Sequence, residues 1–210
     1  MKITNGMFKE YMNNAFRMDD EEAGEALTGL NVSEVGNEVF FYAPVMSESI
    51  VQLNKKLRSL ETTITQFTAG VGIPAGSVPI KLRINSGGGS LFDGFAAVDA
   101  IKNCKVPVHT IIDGGAASAA TLMSVVGKRR AMGSHSFMLI HQLSGGMWGK
   151  FEEMRDEIQN SELLMQSIQD IYLKHTKIPK KLIKDILKRD IWLDAKTCLE
   201  YGLVDEVLGN

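Results

Sequence analysis

Twice in this 210-residue chain a short apolar run stops at glycines and gives way to helical spacing. Pro79 to Asn85 alternates apolar and polar residues, as a strand does; Gly87, Gly88 and Gly89 follow, and Leu91 to Lys102 then reads as a helix. Val106 to Ile112 repeats the pattern, running into Gly114–Gly115 and the small, helix-compatible stretch Ala116 to Val126. Parallel strands cannot be joined by a tight hairpin, so a repeated strand, glycine corner and helix builds a mostly parallel sheet with crossover helices. The expected class is α/β.

The remaining segments extend this scheme. Val39 to Tyr42 is a candidate strand, and Ser47 to Leu60 is a helix with Ile50, Leu53, Leu57 and Leu60 at helical spacing. Thr62 to Val78, rich in Thr and containing Gly and Pro, reads as a loop or short hairpin. Ser136 to Ile140 is another strand. Lys150 to Lys174 is the longest helical pattern, with Phe151, Met154, Ile158, Met165, Ile168 and Tyr172. It far exceeds the mean helix of about 11–12 residues, so it is expected to project from the body. Pro179 suits the first turn of a helix through Leu187. Trp192 to Leu208 closes the chain with a short helix and a strand from Leu203 to Leu208. Residues 1–37 differ: Asp19, Asp20, Glu21, Glu22 and Glu25 form an acidic cluster suited to a solvated arm or to a docking or gating segment. The expected organisation is an arm over 1–37 and one domain over 38–210.

With 44% hydrophobic and 23% charged residues the chain can bury a core. A net charge of -2 gives no electrostatic reason to expect nucleic acid or an anionic membrane. No apolar run approaches the roughly 18 residues of a membrane span, and the first ten residues lack the apolar segment of a secretory signal. Cys104 and Cys198 lie far apart and suggest neither a zinc site nor a disulfide framework, which points to a reduced, cytoplasmic setting. The 11 methionines are scattered, as adaptable packing residues are.

The glycine turns first suggest phosphate binding, but the spacing fails. A dinucleotide fingerprint needs glycine where Phe92 stands; a P-loop needs Ser or Thr at Arg129 and Gly at Leu122. Gly87 to Gly89 is then either a plain tight turn or a row of bare backbone N–H groups facing a developing oxyanion. Ser118, after a strand and two glycines, is either a helix N-cap or a hydroxyl exposed at a strand-to-helix corner. The G-x-S-x-G elbow is not met, because Ala116 and Ala120 replace its glycines. His141 ends an apolar strand, where a histidine is either structural or a base. His109, His135 and His175 fall mid-strand, in a polar turn and at a helix end. Asp190 follows a helix and is either solvated or a partner for a cation, with Asp113 as the rival acid. Hydroxyl, imidazole and carboxylate are the parts of a serine relay. The hydroxyl needs a base to become nucleophilic, and the imidazole needs an acid to hold its tautomer.

Ile84-Asn85-Ser86-Gly87-Gly88-Gly89 resembles the I-N-S-P-G-G turn of the Clp protease proteolytic subunits, serine peptidases of the ClpP/crotonase superfamily. Gly114-Gly115-Ala116-Ala117-Ser118 resembles their G-x-A-A-S segment, Gly127-Lys128-Arg129-Arg130 a G-K-R stretch, and Met138-Leu139-Ile140-His141-Gln142 an M-I-H-Q segment. Arg189-Asp190, then Ala195 and Glu200 to Asp205, resembles R-D followed by A and E-Y-G-L-V-D. The resemblance implies a ClpP/crotonase-like α/β fold of repeated β-β-α and βαβ units, with Lys150–Lys174 as a projecting handle helix. It implies Ser118 as nucleophile, His141 as general base and then acid, Asp190 as the orienting carboxylate, and the backbone N–H groups of Gly89 and Ala119 as the oxyanion hole. It further implies protein and peptide substrates, no metal or organic cofactor, a homo-oligomer of two stacked heptameric rings, and an AAA+ unfoldase as candidate partner. Gly87 for proline, Gly115 for glutamine, Ala119 for methionine and Leu143-Ser144 for proline-leucine depart from the family pattern. The unmatched arm leaves open an unfoldase-independent, phage-type protease of capsid or scaffold proteins. A crotonase-like enzyme acting on acyl thioesters would share the fold.

Overall fold

Alternation of buried and half-exposed residues is clearest in the strand Ile80–Ser86, where Ile80, Leu82 and Ile84 are fully buried and Lys81, Arg83 and Asn85 are not. The computed structural model describes residues 31–209. In chain order the strands are β1 (Asn31–Val35), β2 (Glu38–Tyr42), β3 (Ile80–Ser86), β4 (Val108–Ala117), β5 (Arg129–Gly133), β6 (Phe137–Leu139) and β7 (Glu206–Leu208). The helices are α1 (Ser47–Val71), α2 (Leu91–Asn103), α3 (Ala119–Val125), α4 (Phe151–His175), α5 (Lys180–Leu187) and α6 (Ala195–Glu200).

Among the described residues one sheet runs β1-β2-β3-β4-β5-β7, with β6 joined to β4. Only the β1–β2 hairpin is antiparallel; the other pairings are parallel. The α/β class with crossover helices is thus the one found. β1 starts at Asn31, so the sheet begins inside the stretch assigned to the arm. The acidic cluster Asp19 to Glu25 lies outside the described residues.

Helices cover the face that carries Ile80, Leu82 and Ile84, and Leu53, Leu57, Val98, Ile101, Leu122 and Met123 join the same buried core. Full burial of a side chain of this size stabilises by about 1.5–3 kcal/mol. The opposite face stays polar and is stitched by ion pairs. Glu38 binds Lys81 at 2.8 Å and Arg83 at 2.6 Å, and Arg83 reaches Asp113 at 3.0 Å. The two guanidinium and ammonium partners hold the Glu38 carboxyl below the ordinary range.

Four expectations require correction. Thr62 to Val71 is not a loop, because α1 continues through it with Ile64 and Thr68 buried one and two turns beyond Leu60. Its threonines are compatible with the helix because Thr62 and Thr68 donate to the carbonyls of Arg58 and Ile64 at 3.0 and 2.8 Å. β4 does not stop at Gly114–Gly115 but runs to Ala117, and the following helix starts only at Ala119. Small size there serves close strand pairing: Ala116 and Ala117 face Met138 and Leu139 of β6. β5 went unrecognised because it opens with two arginines. Those charges are matched by residues distant in sequence, Arg129 by Glu206 and Arg130 by Asp205. The last strand is confined to Glu206–Leu208.

One consequence of β4's length positions the site. Its first half pairs with β5, His109–Ile112 against Arg129–Met132. Its second half pairs with β6, Gly115–Ala117 against Phe137–Leu139. The strand therefore changes neighbour part-way, and its end lies beside the end of β6.

Candidate active site

Ser118 occupies the single residue between β4 and α3. Its backbone sits at φ 54, ψ -128, and it is the one non-glycine with positive φ among the described residues. Such a conformation costs on the order of 1–3 kcal/mol and persists only where neighbours over-determine it. Here the Ser118 N–H donates to the Leu139 carbonyl at 2.9 Å, and the Ser118 carbonyl accepts the Thr121 N–H at 3.0 Å. Although Ser118 stands at the N-cap position, its hydroxyl makes no capping hydrogen bond. Ser118 thus stands at a half-buried strand-to-helix corner without its hydroxyl spent on capping.

The Gly88–Gly89 turn packs against this corner. A Cβ on Gly88 would lie 2.6 Å from both the Ala117 carbonyl oxygen and Ser118 Cβ, and 3.1 Å from the Ala119 nitrogen. A Cβ on Gly89 would collide with the Val45 carbonyl. Val45 holds the turn from its other side: its N–H donates to the Gly88 carbonyl at 2.8 Å, and its carbonyl accepts the Ser90 N–H at 2.8 Å. This clasp by the segment after β2 carries no motif and was not visible in the sequence. Ala119 opens α3, so its N–H belongs to the first turn, where no intrahelical carbonyl is in reach.

His141 arrives two residues after β6. Asp190 arrives after α5, on a segment laced to the β6 strand. The Gln142 N–H donates to the Leu187 carbonyl at 2.6 Å; Met138 and Leu193 exchange N–H to carbonyl bonds at 3.0 and 2.7 Å. These bonds flank Asp190 on both sides and place its Oδ1 3.5 Å from His141 Nδ1. That is ion-pair range, longer than an ordinary hydrogen bond; catalytic contacts in resting sites commonly tighten only with substrate. The imidazole is one-fifth exposed and the carboxylate more than half exposed.

A cleft of ≈ 210 Å³ unites these groups. Ser118 and His141 line it together with Gly89 and Ala119, and apolar walls come from Leu91, Leu122, Leu143 and Ile168. Ser118, His141, Gly89 and Ala119 therefore share one opening, with Asp190 within ion-pair range of the histidine. The rivals lie elsewhere. Asp113 is engaged by Arg83 and by the Tyr42 hydroxyl. His109 faces Lys81 and Arg129 across the sheet, with burial lowering its pKa. His135 bonds Ser134, and the His175 carbonyl accepts Arg130. Burial pushes the Cys104 thiol up to about 11 and the Cys198 thiol up to about 12, so neither offers a ready thiolate. Among the described residues no group of three or more His, Cys, Asp or Glu could hold a metal ion, and no helix is long and apolar enough to cross a membrane.

The sequence model of the Clp protease family matches residues 37–210, a span that includes every residue of this cleft. The chain belongs to the Clp protease family. The ATP-dependent Clp protease proteolytic subunit 1 of Chlamydia muridarum is 33% identical over 176 residues, which cover 81% of this chain and 85% of that protein. The protein of the same name from Chlamydia pneumoniae is 34% identical over 176 residues, with the same coverage. The ATP-dependent Clp protease proteolytic subunit of Deinococcus radiodurans is 35% identical over 133 residues, 61% of this chain and 64% of that protein. Membership of the Clp protease family carries a protease role and accounts for the α/β fold, as the sequence resemblance led one to expect.

Proposed function

We propose that this chain is a serine endopeptidase in which Ser118, His141 and Asp190 act as a relay. The observation that carries the reading is the convergence of a strained, uncapped Ser118 and the Asp190-paired His141 on one cleft. His141 takes the Ser118 proton as the hydroxyl oxygen attacks a peptide carbonyl. The negative charge on the carbonyl oxygen is received by the N–H groups of Gly89 and Ala119; donors of this kind contribute about 3–4 kcal/mol of transition-state stabilisation each. The imidazolium, held by Asp190, returns the proton to the leaving amine, and water then hydrolyses the acyl-enzyme through the same base. None of these steps calls for a metal or organic cofactor.

The peptidase domain is assigned to residues 38–210, with β1 (Asn31–Val35) adding the antiparallel edge of its sheet. By its family we assign it to a cytoplasmic homo-oligomer of two stacked heptameric rings that receives unfolded protein from an AAA+ ATPase, in keeping with the words "ATP-dependent" in its relatives' names. The long helix α4 would be the contact between rings. The test is hydrolysis of fluorogenic peptides and of a folded protein by the full chain, with and without an ATP-driven unfoldase. Ser118→Ala should abolish cleavage of both. Peptide cleavage by Ser118→Ala at the wild-type rate would overturn the serine mechanism. Cleavage of folded protein without any unfoldase would overturn the partnership and leave the mechanism standing.

A further inference from the structure

The Ser118 carbonyl has a second partner besides the Thr121 N–H. The Thr121 hydroxyl lies 2.6 Å from it, and the same hydroxyl lies 2.6 Å from the phenol of Tyr172. Thr121 sits in α3 and Tyr172 in the long helix α4, and both side chains are fully buried. The proton directions follow from the donor count. A carbonyl only accepts, so Thr121 must give its one hydroxyl proton to Ser118. The Thr121 oxygen can then only accept from Tyr172, whose phenol gives up its own proton. The result is a one-way chain, Tyr172 to Thr121 to the Ser118 carbonyl, in which each bond polarises the next. Burial pushes the Tyr172 phenol well above its ordinary pKa, so it stays a protonated donor. A buried tyrosine hydroxyl needs a partner, and here it is the Thr121 hydroxyl. Here the partner leads directly to the strained residue.

We propose that Thr121 and Tyr172 are positioning residues for the nucleophile, fixing the Ser118 backbone in its strained conformation and tying that conformation to α4. The inference rests on the serine reading above. Neither side chain touches the reacting atoms. Thr121 acts through the Ser118 carbonyl, and Tyr172 acts through Thr121. The first turns of α4 are mostly exposed while Tyr172 near its end is buried, so a shift of this helix would reach Ser118 through two hydrogen bonds.

The test is a double-mutant cycle on the full-length assembled protein, read as kcat and KM on a fluorogenic peptide alongside thermal melting. Thr121→Val, which keeps the shape and deletes the hydroxyl, should lower kcat roughly 3- to 10-fold, the worth of one ordinary hydrogen bond, while KM stays near wild type. Thr121→Ser should restore kcat. Tyr172→Phe should lower kcat less than Thr121→Val, and in the Thr121→Val background it should add nothing, because its route is already cut. Wild-type kcat in Thr121→Val, failure of Thr121→Ser to restore it, or additive effects in the double variant would each overturn the positioning role. Ser118→Ala, run in parallel, separates the two claims. Full activity there overturns the serine reading and the positioning role together. Loss there with full activity in Thr121→Val overturns the positioning role alone.

Discussion

Replacing Gly88 by alanine should disable the site far more than it unfolds the chain, and Gly36 provides the control. Both glycines have positive φ, 91° and 59°. An L-residue in that region costs about 1–2 kcal/mol. At Gly36 nothing lies within 4 Å of the new Cβ, so Gly36→Ala should cost only that strain. At Gly88 the Cβ would sit 2.6 Å from Ser118 Cβ and from the Ala117 carbonyl oxygen. Ordinary contacts are about 3.5–4.0 Å, so one wall must retreat by about 1 Å. Overpacking of this kind adds about 1–3 kcal/mol. Total losses of about 2–5 kcal/mol are tolerable for a domain of typical stability, about 5–15 kcal/mol. The displaced wall, however, carries Ser118, the proposed nucleophile, and a misplacement of about 1 Å in a reacting group costs on the order of 10²-fold in rate. Denaturant melts give the stability of each variant, and peptide turnover gives kcat under conditions where both are folded. Gly36→Ala should turn over at the wild-type rate and Gly88→Ala about 10²-fold more slowly. If folded Gly88→Ala turned over as fast as Gly36→Ala, the turn would not be part of the catalytic geometry.

Further outcomes follow from the same structure. Asp190→Asn should lower kcat by about 10⁴-fold with KM little changed, the loss that follows when a serine relay's carboxylate is replaced by its amide; an unchanged kcat would remove Asp190 from the proposed relay. Arg130 holds the Asp205 carboxyl below its ordinary pKa. A depressed carboxylate contributes stability that is present above its unfolded-state pKa and lost as pH falls through the folded-state one. Melting temperature should therefore fall on acidification through and below the ordinary carboxylate range, and Asp205→Asn should flatten that limb; an identical acid limb in the variant would contradict the assignment. The Arg129–Glu206 pair is solvent-exposed, so Arg129→Ala should change stability by less than about 1 kcal/mol in a denaturant melt.

Much of the scaffold was legible because its signals are local. The alternation of β3, the glycine corner after it and the apolar spacing of α2 and α4 each lie within one short segment, and all reappear in the structure. Features that depend on distant partners were not legible. β5 reads as polar until Asp205 and Glu206 arrive from the end of the chain to neutralise its arginines. The extension of α1 was hidden by threonines whose hydroxyls turn back onto their own helix. At the site, Ser118, His141 and Asp190 could each be raised as candidates from their local setting, but only the family resemblance chose those roles over the structural ones. None of the three sits in a locally diagnostic pattern. Their convergence depends on β4 exchanging β5 for β6 and on the backbone bonds that lace Leu193 to Met138 of β6 and Leu187 to Gln142 beside His141. The Val45 clasp and the Thr121–Tyr172 pair leave no trace in spacing at all. Tyr172 reads simply as one more apolar position of a long helix.

The central claim is that Ser118 is the nucleophile activated by His141. Incubation of the assembled protein with a fluorophosphonate, followed by peptide mapping, tests it directly. The account predicts a single adduct on Ser118, absent in Ser118→Ala and formed far more slowly in His141→Ala. An adduct on a different serine, or no adduct on the folded protein, would contradict it.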